Sequence, residues 1–219
     1  MHRRTLTLLR HEVQPAPLAA YSDFLTRWQH LHPTTRLTGA EGLRSVMQQM
    51  HGGDAPAVAW TRDILPARLA AFNPTDLERL CQAGEWAWVL SGQDARRAHA
   101  RFVARGEGRL FLAAADAGAL GEQSGAVYAF LQSEGASFLT DIQSGLGLAA
   151  AAVQAALVEL ALAGLVTNDS LAALQTLLQQ TSQPAAPAPV SALEAELARR
   201  RGVPNSTFDS RSMRWRSWR

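Results

Sequence analysis

Apolar and polar positions along this chain of 219 residues follow two periods, and the change between them marks out the elements. In Pro15–His32, the residues Leu18, Tyr21, Phe24, Leu25, Trp28 and Leu31 recur at helical spacing. One helix with one apolar face is predicted there, ended by Pro33. Thr38 with Glu41 reads as a capping box for a second helix, which carries Leu43, Val46, Met47 and Met50 and stops at Gly52-Gly53. A third helix runs from about Pro56 to Leu65 and meets Pro66. A fourth has Asn73 as N-cap and Pro74 at its first position, carries Leu77, Leu80 and Cys81, and stops at Gly84. Then the period shortens. Glu85–Leu90 (EWAWVL) is aromatic and β-branched enough for a strand, and Arg109–Ala113 (RLFLA) is its expected partner. Three helices followed by two strands is a winged helix, with Ser91–Gly108 as a long insertion between the strands.

A second unit starts near Gly121. Its first helix carries Val127, Phe130 and Leu131; Phe138–Ile142 form the next, and Leu148–Ala163 occupy the recognition-helix position. Leu165-Val166-Thr167 begin a wing, and Ser170 caps a further helix to about Leu178. Gln179–Val190 is a Pro/Ala linker. Ser191 with Glu194 opens a short helix to Arg201, and Gly202–Arg219, without periodicity, is expected to be mobile. The expected fold class is mainly α with small β wings, built as tandem winged helix-turn-helix units. The expected organisation is an N-terminal helical segment over 1–37, a first winged helix over 38–115 and a second over 116–178. The linker over 179–190 follows, then a short helix and disordered basic tail over 191–219.

Charge changes this picture. Residues 1–115 hold 14 arginines against 10 acids, residues 116–198 hold no arginine against 8 acids, and residues 199–219 hold 7 arginines against Asp209. From Leu110 to Ala198 there is no Arg, Lys or His at all. The second unit therefore has a shape used to grip nucleic acid without cations to do it. Its third helix presents Ala149–Ala152, Ala155 and Ala156, too short to reach a base edge, so packing or docking is its expected role.

All 21 basic residues are arginine, for which coding bias is a sufficient cause. The absence of lysine excludes a Walker A phosphate loop and a Schiff-base lysine within these residues. A single cysteine, Cys81, rules out an intramolecular disulfide and fits a reducing cytoplasm. The most apolar stretch, Leu146–Val166, carries Gln154 and Glu159 and reads as a buried helix, not a membrane span.

Several pieces carry a resemblance: TLTLLRHEVQP (5–15), FLTRWQHLHP (24–33), RLTGAEGL (36–43), DAPAVAWTRDILPARLAAFNPTDLERLCQAGEWAW (54–88) and LVTNDSLAALQTLL (165–178). On these the chain resembles an internal segment of the Lhr (large helicase-related) family of bacterial ATP-dependent DNA helicases. The resemblance implies a DNA-repair motor tracking single strands 3′ to 5′, with ATP and Mg²⁺ in motor domains that these residues do not include. No cofactor is expected in this chain. In the family, a segment similar to STFDS (206–210) is followed by Gly-Arg-Trp-Ser, which opens a barrel similar to AlkZ-type DNA glycosylases. Here Arg211-Ser212-Met213-Arg214-Trp215-Arg216-Ser217-Trp218 follows, so truncation before that barrel is the expectation.

The leading candidate site is the insertion SGQDARRAHARFVARGEGR (91–109), with Arg96, Arg97, Arg101, Arg105 and Arg109 expected to meet phosphates. The alternative is a solvated loop whose arginines pair with nearby acids. Arg62, Arg68 and Arg79 read as an exposed polar face opposite Leu77 and Leu80, with Arg79 kept as a candidate nucleic-acid contact. Trp28 could stack on a base, but its shared face with Phe24 and Leu31 favours a core position. The tail RSMRWRSWR suits nucleic acid or an anionic membrane surface by charge and stacking, yet reads more simply as a disordered end. His30-x-His32 lacks further ligands at metal spacing, and Asp76/Glu78 read as helix N-terminal charges. No catalytic constellation emerges.

The functional expectation is an accessory, nucleic-acid-engaging helicase segment. Its expected partners are single-stranded or partly duplex DNA and other domains of a helicase-like protein, with no membrane. A protein–protein docking scaffold is the alternative, and a transcription regulator fits less well for want of a basic recognition helix.

Overall fold

The structure is a computed structural model, and it describes residues 15–111, 120–180 and 214–217. The chain divides into two compact units. One holds the residues up to Gln49 together with Leu65–Phe72; the other holds Met50–Ile64 and everything from Asn73.

In the smaller unit, α1 (Leu18–Trp28) and α2 (Gly39–Gln49) form as their periods predict. Leu43, Val46 and Met47 of α2 are buried. Gly42 is needed there, because a Cβ would lie 2.9 Å from the Leu37 Cβ. Leu37 bridges Leu69, and the Arg36 guanidinium donates to the carbonyls of Pro66 and Leu69, closing the end of α4 (Leu65–Arg68). Here α1 departs from expectation. None of its residues is buried, and Trp28 is 56% exposed beside exposed Tyr21 and Phe24. The periodicity correctly set these side chains on one face, but no described element covers that face.

The larger unit holds two three-stranded antiparallel sheets. The first is built from β1 (Ala55–Pro56), β2 (Trp86–Ser91) and β3 (His99–Ala104), in the order β1-β3-β2. The expected partner strand at Arg109–Ala113 is not one. Gly108–Phe111 is a helical turn, α6, and residues 112 and 113 lie outside the described residues. The true partner, HARFVA, alternates polar and apolar over His99–Phe102 and continues apolar through Val103 and Ala104, inside what looked like an insertion. Its end is held by His51, whose Nε2 accepts the Ala104 N–H (3.0 Å) while its ring packs on Phe111 and Trp86. Between β1 and the smaller unit's α4 run α3 (Ala57–Ala59) and a π-helical turn, Trp60–Ile64. Trp60 is buried there, its Nε1 donating to the Ala100 carbonyl (2.8 Å).

The second sheet repeats the plan. β4 (Ser137–Phe138), β5 (Val166–Asn168) and β6 (Arg214–Ser217) lie in the order β4-β6-β5. In both sheets the last strand in sequence lies between the first and the second. The helices before the second strands, α5 (Pro74–Gln82) and α9 (Ala150–Leu162), also end alike. Each runs into Ala-Gly, with Gly84 at φ 74° and Gly164 at φ 71°. The Glu85 N–H returns to the Leu80 carbonyl and the Leu165 N–H to that of Leu160. This left-handed helix stop favours glycine and aims each chain into its strand. α7 (Glu122–Glu134) and α8 (Leu139–Leu146) complete the second winged helix. The architecture is thus mainly helical with small antiparallel sheets, in winged-helix form.

β6 corrects the expectation of a disordered tail: Arg214–Ser217 is the central strand of a sheet, and Trp215 is fully buried. It comes from outside the 116–178 span. The linker beyond Gln180, the capping box at Ser191 and the helix to Arg201 lie outside the described residues.

The two sheets of this unit are joined by specific bonds. The Trp88 indole donates to the Ser170 carbonyl (3.0 Å), and the Thr167 hydroxyl donates to the Trp88 carbonyl. Trp88 and Trp215 meet edge to face with ring centres 6.2 Å apart. Glu78, expected to serve its own helix, accepts the N–H groups of Leu171 and Ala172 and the Ser170 hydroxyl. It therefore caps a different helix, α10 (Leu171–Gln180). Glu159 likewise accepts from Gly121 N–H and Ser124 hydroxyl at the start of α7. No single helix among the described residues is long and apolar enough to cross a membrane. α8 and α9 reach the required apolarity only as a pair bent by 113°.

Candidate nucleic-acid interface

The five arginines between Ser91 and Arg109 are split by the strand that runs through them. Arg96 and Arg97 sit in a 3₁₀ turn, Ala95–Arg97, at the tip of the β2–β3 hairpin. Buried Ala95 and Ala98 anchor the turn, and the Asp94 carboxylate accepts the Arg96 N–H (3.0 Å). Both arginine side chains are exposed. Asp94 caps the backbone there, so the sequence DARRA makes a tight, cation-bearing tip.

Arg101 lies mid-strand on β3 and is committed internally. Its Nε donates to Asp54 (3.1 Å) and its terminal nitrogen to the Phe111 carbonyl (3.1 Å). His99 also meets Asp54, at 2.8 Å. Burial opposes ionisation of Asp54, but the hydrogen bonds and charges of His99 and Arg101 outweigh it and hold the carboxyl below its ordinary value. Arg105 follows β3 at the opposite end from the tip, with its guanidinium against Gly84. At about 3.4 Å per residue, six strand residues put Arg105 roughly 20 Å from the tip. Arg109 falls in α6. The expected cluster of five is therefore two exposed positions at the tip, one tethered side chain, and one cation at the base, with Arg109 on a separate helix.

Arg79 is exposed on α5 and paired with Asp76 at 3.2 Å. Arg62 pairs with its neighbour Asp63 at 2.8 Å. Arg68, in the smaller unit, is partly buried near Gln29, and burial pulls its guanidinium below its ordinary value. So Arg68 does not belong to an exposed polar face. Cys81 is fully buried, and burial, reinforced by the charges of Glu78 and Asp169, pushes its thiol up to about 12. Among the described residues, no group of three or more His, Cys, Asp or Glu side chains is placed to hold a metal ion.

Sequence reasoning weighed the tail that carries Arg214 and Arg216 and set it aside as a disordered end. Both lie on β6, on the face opposite Trp215. Arg216 pairs with Asp169 at 3.0 Å, and the Arg214 guanidinium sits 4.8 Å over the Phe138 ring. These arginines return cations to the winged helix whose own helices have none. The signal was only the short alternation Arg214-Trp215-Arg216, broken by Ser217.

Residues 16–105 match the winged-helix domain of large helicase-related proteins. The chain belongs to the large helicase-related (Lhr) family. Over 200 residues, 86% of its length, it is 32% identical to a protein of Mycolicibacterium smegmatis described as an Lhr helicase and probable uracil glycosylase. It spans 13% of the length of that relative. This Lhr chain is accordingly a helicase-associated one with winged-helix structure. The matched residues include α5, the β2–β3 hairpin and its arginine-bearing tip.

Proposed function

We propose that the chain is an accessory, nucleic-acid-engaging segment of an Lhr-like ATP-dependent DNA helicase. In this reading the helicase works 3′ to 5′ in DNA repair and in the cytoplasm, and ATP and Mg²⁺ are used by motor domains that these residues do not supply. The observation that carries the proposal is the exposed Arg96-Arg97 tip on the hairpin of a helicase-family winged helix. Guanidiniums on a wing suit phosphate by charge and by their forked donors. The partners proposed are single-stranded or partly duplex DNA and other domains of a helicase-like protein. Arg79 is retained as a lesser contact, since Asp76 already neutralises much of its charge.

A docking scaffold is a second reading, and the exposed apolar face of α1 favours it. Fluorescence anisotropy of a labelled single-stranded oligonucleotide, titrated at several salt concentrations, separates the two. Each phosphate contact contributes about 0.7 to the slope of log affinity against log salt for a single strand. Arg96→Ala with Arg97→Ala should flatten that slope by about 1.4. An unchanged slope removes the tip from the interface, and no salt-dependent binding by the unaltered chain favours the scaffold.

A further inference from the structure

We propose that Arg105, Arg214 and Arg216 form a second cationic site, at the base of the first wing and on the central strand of the second, that takes the phosphodiester backbone of a nucleic-acid strand. The site rests on the nucleic-acid reading above and adds a contact point remote from the hairpin tip. All three residues belong to the larger unit.

The pleat of β6 sets Arg214 and Arg216 on one face, two residues apart. Each is already oriented: Arg214 over the Phe138 ring, Arg216 by Asp169. Arg105 follows β3, where Gly84 leaves room for its guanidinium, and its charge acts on Arg216. A Cβ at Gly84 would stand 2.8 Å from the Arg105 Cζ, so no other residue fits that position without displacing the cation.

The charge balance of this group is incomplete. Burial pulls the Arg216 guanidinium below its ordinary value, and Arg105 and Arg214 push the same way. Among the described residues, Asp169 acts against them on Arg216. The Nε of Arg216 is buried without a hydrogen-bond partner among the described residues. Around Arg216, two further guanidiniums act against one carboxylate, and Arg214 and Arg216 are held in place before any ligand arrives. A phosphate group supplies the missing charge and acceptor oxygens for forked donors. The polymer backbone is favoured over a free anion because the hairpin tip offers a second exposed cationic contact in the same unit.

The test uses the full chain and a labelled single-stranded oligonucleotide. Arg105→Gln with Arg214→Gln, leaving Arg96 and Arg97 intact, should flatten the salt slope by about 1.4. Asp169→Asn removes the competing carboxylate and should tighten binding, an effect that a purely structural role for Asp169 would not give. If the unaltered chain binds with a steep slope and the double variant keeps it, this site is refuted while the tip reading stands. Looser binding by the Asp169 variant also counts against the site. If the unaltered chain shows no salt-dependent binding, both fall. Replacing chloride by inorganic phosphate at constant ionic strength should leave binding in place; displacement there assigns the cluster to a free anion and overturns the backbone reading.

Discussion

Replacing Trp215 with alanine tests whether β6 belongs to the core of the second winged helix. The side chain is fully buried and edge-on to Trp88, and its strand pairs with both β4 and β5. A tryptophan buries roughly 200 Å². At about 25 cal/mol per Å² that is a transfer term of roughly 5 kcal/mol, an upper bound on an extended-chain reference. Core Trp→Ala changes cost about 3–5 kcal/mol, and the ring pair contributes about 1 of that. A loss near 4 kcal/mol is expected, a large fraction of a typical domain's 5–15 kcal/mol. With a urea dependence of about 2 kcal/mol per M, the unfolding midpoint of the larger unit should fall by about 2 M. The assay is urea titration followed by far-ultraviolet circular dichroism. Trp215→Phe should lose less, because most of the apolar volume stays. A midpoint shift under about 0.5 M, with unchanged slope, would mean that β6 is not docked and that the tail is peripheral after all.

Glu78→Ala should cost about 1–2 kcal/mol in the same titration, since it removes the acceptor of the Leu171 and Ala172 N–H groups at the start of α10 and leaves only the Ser170 hydroxyl on Ala173 N–H; a loss under a few tenths would refute the capping role. For acid, the relevant group is Glu159, held below its ordinary value of 4.5 first by the Ser124 hydroxyl and then by the Gly121 N–H, with burial opposing. A depressed folded value means that its stabilisation is complete above the unfolded value and lost as pH falls through the folded one. Melting temperature should therefore decline below about pH 4.5 less steeply in Glu159→Gln than in the unaltered chain, and parallel declines would exclude the link.

The helical half of the fold was legible because its signals are local. Asn73-Pro74 opens α5 as read, with the Asn73 side chain accepting from Thr75 N–H, and Gly84 ends it. The strands were harder. His99–Ala104 was hidden because three arginines and a histidine between Arg96 and Arg101 suggested a loop, although alternate positions are buried. Arg214–Ser217 was hidden because its pairing partners lie 47 residues or more away, at Asn168 and before it, and no local pattern reports that distance. The candidate site was legible as a count of arginines, not as their arrangement. Asp54, which ties Arg101 down, lies 47 residues before it. Trp28 shows the converse error: a shared apolar face names which residues act together, not what they face.

The separation between β5 and β6 has a kinetic side. Ser91 pairs with His99 across eight residues, whereas Asn168 pairs with Trp215 across 47. Loop closure over the longer span costs roughly 1.6 kcal/mol more by the logarithmic rule, and such pairings are late to form. The two sheets have one plan, but the first hairpin can close by itself in microseconds. The second must wait until a distant strand finds the gap between β4 and β5. Until then, that gap presents two unpaired edges, and the most vulnerable moment of this chain's folding is the search by RWRS for its place.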